Sequence, residues 1–171
     1  KTLYVPSSEL GFGPVRDLRV SVTDALNTPA VFGVQLNQDL EMAGSLTVAS
    51  GSLLRLEGGD VIADGPGAHR VDGRVAGTGY VRTRGATSVT GAAIAGLHVS
   101  AASPATRVSV ATMDRFEVTD GAARVAPSAS SMVSTAVTFA NATVEIAGRL
   151  DLGSNAVLAV NGTNLMIEPD H

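Results

Sequence analysis

An internal repeat constrains the fold of this chain more than any other feature of its sequence. The segment Ala43–Gly59, AGSLTVASGSLLRLEGG, aligns without a gap with Ala147–Thr163, AGRLDLGSNAVLAVNGT. In both copies apolar residues alternate with polar or small residues on either side of a turn of small residues. Such alternation is typical of short β-strands with one buried face. The repeat therefore predicts stacked strand pairs in which Leu46 and Leu150 point into the core.

Glycines recur along the chain at intervals that suit the turns of a solenoid. Each of them precedes a short apolar segment, and they lie 29, 23, 25 and 27 residues apart: Gly44, Gly73, Gly96, Gly121 and Gly148. Repeats of roughly this length, about 20 to 50 residues, are typical of solenoids. No stretch keeps a helical period, so we expect little helix. The sequence predicts an all-β fold, a right-handed parallel β-helix (β-solenoid) of short strands with Gly-rich turns.

The composition favours this fold over the alternative that we retain, a β-sandwich or jelly roll. Hydrophobic residues make up 44% of the 171 residues, but the aromatic residues are only two Tyr and four Phe, and there is no Trp. A sandwich usually has longer strands and large side chains in its core. We expect one β-solenoid domain over residues 1–171, with residues 1–14 as an N-terminal cap or entry segment.

The sequences GSLTVASGSLLRLEGG and AGRLDLGSNAVLAVNG resemble the degenerate repeats of bacterial surface and secreted β-helix proteins, of the autotransporter and filamentous-haemagglutinin kind. The resemblance covers Leu40–Ile167. It implies a passenger, stalk or filament module with an extracellular or cell-surface location. It carries over no catalytic residue.

The charge and the apolar pattern exclude several classes of function. The net charge is −4, and Lys1 is the only lysine beside eleven scattered arginines, which argues against a nucleic-acid partner. The chain has no run of 18 apolar residues, so we expect no membrane span. It has no Cys, which excludes disulfides and thiolate metal sites. Because it begins at Lys1 rather than Met, we expect a mature or excised piece of a longer protein.

The densest acidic group consists of Asp114, Glu117 and Asp120. Paired carboxylates perform the acid–base chemistry of glycoside hydrolysis, so this group suggests a carbohydrate-active enzyme on a β-helix scaffold. In an uninterrupted strand, Asp114 and Asp120 would share one face and Glu117 would lie on the other. We favour a solvated face, and we predict no catalytic residue.

Two further patterns suggest metal sites. Gly58-Gly59-Asp60 and Asp64-Gly65 match part of a calcium-binding nonapeptide repeat, but the match is not tandem, and we favour turns with solvated carboxylates. His69, His98 and His171 lie far apart, without the spacing of metal ligands. We therefore predict no metal site and no cofactor.

Glycans enter the sequence analysis in two ways. Sugar platforms rely on aromatic rings, so we expect weak glycan binding at most, with Tyr80 and its neighbours Arg82 and Arg84 as the residues to suspect. Asn141-Ala142-Thr143 and Asn161-Gly162-Thr163 fit the N-glycosylation sequon, and whether either Asn is modified stays open.

The two ends of the chain differ. Residues 1–14 contain Pro6 and Pro14 and suit a cap, whereas the repeat runs to Leu165–Ile167 and leaves no room for a cap before His171. We expect either further repeats after the last one or pairing of the last one with another copy, end to end. The predicted function is a structural or adhesive module of a large surface protein or of a filament. The alternatives are the carbohydrate-active enzyme and a phage or virus fibre or decoration module.

Overall fold

The computed structural model is a parallel β-helix, which confirms the predicted fold class. It describes residues 3–4, 17–20, 33–36, 39–63, 68–84, 87–90, 93–100, 106–109, 112–127 and 129–168. Within these residues every strand pairing is parallel and no helix occurs. The strands follow in chain order: β1 (Leu3–Tyr4), β2 (Leu18–Val20), β3 (Gly33–Leu36), β4 (Leu40–Met42), β5 (Leu46–Val48), β6 (Leu53–Leu56), β7 (Val61–Ala63), β8 (His69–Val71), β9 (Arg74–Gly77), β10 (Val81–Thr83), β11 (Thr87–Val89), β12 (Ala93–Val99), β13 (Thr106–Val108), β14 (Thr112–Thr119), β15 (Ala122–Val125), β16 (Ser130–Ala140), β17 (Thr143–Ile146), β18 (Arg149–Leu152), β19 (Val157–Asn161) and β20 (Asn164–Ile167).

The strands form three faces around one core. Face 1 contains β1, β3, β6, β9, the first parts of β12, β14 and β16, and β18. Face 2 contains β4, β7, β10, the second parts of β12, β14 and β16, and β19. Face 3 is an eight-stranded sheet in the order β2-β5-β8-β11-β13-β15-β17-β20. One circuit through the three faces is called a rung here, and neighbouring rungs lie about 4.8 Å apart.

The rung length differs from the one that the glycines predicted. On face 3, paired residues are separated by as few as 17 positions, from Arg107 to Arg124, and by as many as 28, from Leu18 to Leu46. Gly44 and Gly121 precede strands of face 3, Gly73 and Gly148 precede strands of face 1, and Gly96 lies inside β12. The glycine interval was therefore wrong as a measure of the rung. Small residues are needed at every corner, so glycines mark corners rather than whole rungs.

The internal repeat is also out of phase with the rungs. Its first copy covers β5 and β6, on faces 3 and 1, whereas its second copy covers β18 and β19, on faces 1 and 2. Leu46 is fully buried, and Leu150 is half-buried and packs against the core. Both leucines therefore contact the core as predicted, but they lie on different faces and do not stack on each other.

The core is a set of columns of aliphatic side chains, because every second residue of each strand points inward. Phe116 and Phe139 lie in register on neighbouring rungs and pack edge to face, with ring centroids 5.5 Å apart. His69 is also buried, and its Nδ1 accepts a hydrogen bond from the Leu46 amide at 3.2 Å. One column thus accommodates a polar ring because the backbone of the neighbouring rung supplies its donor.

The corners use residues that tolerate a left-handed backbone. Asp120, Asn141 and Gly162 follow β14, β16 and β19 in turn, with φ angles of 51°, 50° and 57°. The Asp120 amide donates to Ala140 O, and the Asn141 amide donates to Asn161 O, so the same corner is stacked on successive rungs. Gly, Asn and Asp are the residue types that adopt this conformation with least strain.

The N-terminal segment is described only in part. Within residues 1–14, Leu3–Tyr4 form β1 and pair with β3, and the rest of the predicted cap lies outside the described residues. Asp64, Gly65 and His171 also lie outside them.

Candidate functional site

The last rung exposes an apolar surface at the C-terminal end of the solenoid. Its strands β18, β19 and β20 pair with β16 and β17, and within the described residues no strand lies on their other side. Six aliphatic side chains of this rung are aligned with inward positions of the rung before it. They are named the C-terminal end surface: Leu150, Leu152, Leu158, Val160, Leu165 and Ile167.

Exposure is what distinguishes these side chains from the core residues beneath them. Val160 pairs with Phe139, yet Val160 is 45% exposed and Phe139 only 1%. Leu158 is 50% exposed over a fully buried Val137. The sequence pattern of the last rung is that of a core, but nothing in the described chain covers it.

The backbone of the last rung is open as well. In a parallel sheet each strand uses its N–H and C=O groups alternately toward its two neighbours. The outer side of β18, β19 and β20 therefore presents donors and acceptors without a strand to receive them, which is the template for adding another strand. Apolar side chains and unpaired backbone together make this end a surface for stacking more β-structure.

A polar network occupies the outer side of face 2. Asp60 accepts a hydrogen bond from the Tyr80 amide at 2.7 Å and forms an ion pair with Arg82. The Tyr80 hydroxyl donates to Glu117 Oε1 at 2.5 Å, and Arg82 donates to His98 Nδ1 at 2.9 Å. The network links four successive rungs, because the paired register of β7, β10, β12 and β14 places these side chains beside one another.

Two titratable groups of the network are shifted. Burial, and then the hydrogen bond to the Glu117 carboxylate, raise the pKa of Tyr80 above its ordinary value of 10.0. Burial, and then the nearby Arg82 guanidinium, lower the pKa of His98 below its ordinary value of 6.5. Both shifts favour the neutral forms, which suits a network in which Tyr80 donates and His98 accepts.

The Tyr80 ring does not offer a free platform for a sugar. The Arg115 guanidinium lies 4.0 Å from the ring centroid, and that of Arg82 lies 5.4 Å from it. Arg115 also donates to Thr78 O at 2.5 Å, which holds it over the ring. Arg84, the third residue suspected of glycan binding, is exposed and directly follows β10.

The acidic group of the sequence analysis is divided by the fold. A β-bulge between Met113 and Arg115 places Asp114 at the corner between faces 1 and 2, where it accepts a hydrogen bond from the Ser134 hydroxyl at 3.0 Å. After the bulge Glu117 points outward on face 2, and Asp120 lies at the next corner. Asp114 and Asp120 do not share one face as expected for an uninterrupted strand, because the alternation of β14 is broken: its successive buried residues Met113 and Phe116 lie three positions apart.

An open groove of about 340 Å³ lies on face 1 beside Asp114. Small and aliphatic residues form most of its lining, together with Arg74 and Thr112. Asp114 is the only acid among the described residues that line it. Glycoside hydrolysis uses two carboxylates on either side of the scissile bond, and this groove presents one.

The remaining predicted sites are dispersed. Asp60, the acid of the partial calcium repeat, is engaged by Tyr80 and Arg82, and no group of three or more metal-binding side chains occurs among the described residues. His69 is buried in the core and His98 lies on face 2. Asn141 and Asn161 are both exposed.

No protein-family model, curated protein or solved structure matches this chain. Across the part of the chain that the structure describes, no helix is long and apolar enough to cross a membrane.

Proposed function

We propose that this chain is a structural or adhesive module of a cell-surface or secreted protein, and that its C-terminal end surface joins it to further β-solenoid. The observation that carries this proposal is the last rung, in which four aliphatic side chains are exposed, two are half-buried, and no described strand pairs with the outer side of β18, β19 and β20. The resemblance of its repeats to those of bacterial surface β-helix proteins supports a cell-surface or secreted location and a bacterial source.

The physical reason is that an open solenoid end exposes apolar side chains and strand edges to water, and covering both stabilises an association. Burial of apolar area stabilises an association by roughly 25 cal/mol per Å² removed from water, before the cost of association. A new rung would also pair the free backbone groups of β18, β19 and β20. A flat end that offers both contributions favours a partner with the same rung geometry.

Two arrangements supply such a partner. The first is another rung of the same, longer chain, and the second is the opposite end of another copy. A head-to-tail contact between copies is heterologous, so it continues into a filament unless the geometry closes it. In either arrangement no described residue of the isolated chain covers the end surface, and we expect the chain to associate with itself.

Sedimentation velocity and light scattering over a concentration series test the proposal. We expect the average mass to rise with concentration, and negative-stain images to show rods rather than compact particles. The variant Leu158→Asp places a carboxylate on the end surface and should shift the association to at least about tenfold higher concentration. Ala159→Asp is the matched control, because Ala159 lies next to Leu158 on β19 and its side chain points outward.

A monodisperse monomer at high concentration would contradict the proposal, and so would equal effects of Leu158→Asp and Ala159→Asp. Closed dimers without longer rods would indicate that two end surfaces meet face to face, which would exclude the filament but retain the end surface as an interface.

A further inference from the structure

The outer side of face 3 carries four arginines in one row. The residue at the centre of each strand points outward, and the register aligns these residues across the sheet. From β2 to β17 the aligned positions are Arg19, Thr47, Arg70, Ser88, Arg107, Arg124 and Glu145. The arginine row is defined as Arg19, Arg70, Arg107 and Arg124.

All four arginines of the row are exposed. Within the described residues, Arg19 and Arg107 make no ion pair or side-chain hydrogen bond, whereas Arg70 pairs with Asp72 and Arg124 with Glu145 at 2.9 Å. Structural ion pairs therefore account for only half of the row. The other two side chains are exposed without a described partner, Arg19 on the first strand of the sheet and Arg107 on an interior strand.

The row has a regular spacing. Arg19, Arg70 and Arg107 occupy every second strand, so their positions are about 9.6 Å apart, and Arg124 follows about 4.8 Å beyond Arg107. The residues beside the row are mostly short and uncharged, Ser45, Ala68, Thr90, Ser109 and Ala122, and the two carboxylates beside it are engaged, Asp17 by Ser45 and Asp72 by Arg70 and Thr90. A linear chain can therefore lie along the solenoid axis and meet one guanidinium after another.

The chemistry of the row selects an anionic polymer. Guanidinium groups bind carboxylates through two parallel hydrogen bonds, and they stay charged at every physiological pH. The aligned positions contain no aromatic side chain on which bases could stack, and the whole chain carries a net charge of −4. A dense polyanion such as nucleic acid needs many cationic contacts and would be repelled elsewhere on this surface.

We propose that the arginine row binds a linear acidic polysaccharide, a polymer of uronic acids, whose carboxylates contact successive guanidiniums along the solenoid axis. Exposed charge pairs are individually weak and are screened by salt, so binding comes from several contacts on one polymer. This binding differs from ring stacking, and neutral glycans gain nothing from it. It adds a ligand to the structural role and does not depend on the association of the C-terminal ends.

Polygalacturonate is the probe, and binding is measured by isothermal titration calorimetry or biolayer interferometry at low and physiological ionic strength. We expect the wild type to bind polygalacturonate but not neutral dextran, with affinity that falls as salt rises. The double variant Arg19→Gln/Arg107→Gln should lose at least about tenfold in affinity. Arg55→Gln/Arg74→Gln removes the same charge from face 1 and should change the affinity less than about twofold.

Circular dichroism and thermal unfolding of both double variants show that the fold is retained. The proposal is overturned if wild type does not bind polygalacturonate at low salt, or if the two double variants lose affinity equally. It is also overturned if single-stranded DNA of equal charge binds as tightly as polygalacturonate, because the row would then recognise polyanions in general.

Discussion

The interior and terminal rungs of this solenoid have the same inward pattern but different surroundings. Val118 and Val160 occupy one column, two rungs apart, with Phe139 between them. Val118 is fully buried, and Val160 is 45% exposed because nothing in the described chain lies above it. In a solenoid, therefore, the stabilisation that a core side chain provides depends on the neighbouring rungs as much as on its own rung.

The variants Val118→Asp and Val160→Asp should differ more in unfolding free energy than any other pair of variants proposed for this chain. Val118→Asp buries a carboxylate between two apolar rungs and should cost about 4 kcal/mol or more of unfolding free energy. Val160→Asp leaves the carboxylate in contact with water and should cost less than about 1 kcal/mol. Urea unfolding of dilute protein measures both. Similar costs would show that Val160 is covered in solution.

The strand alternation could be predicted from the sequence, but the phase of the rungs could not be found from the glycines. The actual phase is marked by the tripeptides of face 3: LRV at 18–20, HRV at 69–71, TRV at 106–108 and ARV at 123–125. A search for recurring x-Arg-Val would have found the four arginines of the row, together with Arg74 of face 1 in GRV at 73–75. Glycine was a weaker guide, since all three corners of each rung favour small residues.

Contacts between side chains that depend on the pairing register of distant strands could not be predicted from the sequence. Tyr80 and Glu117 are 37 residues apart in the sequence, and they meet because β10 and β14 are separated by a single strand, β12. The register shift at Asp114 has no signature in the residues around it, and it leaves Asp114 at a corner, apart from Glu117 on face 2. The exposed end could be anticipated, because the repeat continues to Ile167 without polar residues at its inward positions.

The corner column offers a second, smaller comparison. Asn141 in the interior and Gly162 in the last rung both have a left-handed backbone, with φ angles of 50° and 57°. We expect Asn141→Ala to cost about 1 kcal/mol more than Asn141→Gly, because Ala adopts this conformation with more strain than Gly. Thermal or urea unfolding measures the difference. Equal stability of the two variants would mean that the corner relaxes to another conformation.

On the outward side of face 2, the interior rungs and the last rung also differ in their titratable side chains. Interior rungs carry Arg82, His98 and Glu117 at one aligned position, whereas β19 of the last rung carries Ala159 there. At this aligned position, the coupling of proton binding to stability should therefore lie in the interior rungs. His98 is the histidine at this aligned position, and the charged groups that act on its pKa are Arg82, Glu117, Asp60 and Arg84.

The pH prediction follows from the direction of the His98 shift. Because the pKa of His98 in the folded chain is lower than its ordinary value of 6.5, the unfolded chain binds the proton more readily. The contribution of His98 to stability is thus complete above about pH 6.5 and is lost as the pH falls through the lower, folded-state pKa.

We expect wild type to lose more unfolding free energy than His98→Gln between pH 7.5 and pH 5, by an amount smaller than the effects of the Val118 and Asn141 substitutions. Urea unfolding at both values measures this, and Ala159→His is the control, because a histidine in the open last rung should add no comparable pH dependence. If His98→Gln keeps the full pH dependence of wild type, other groups cause it, and the Arg82–His98 hydrogen bond contributes nothing to the interior rungs.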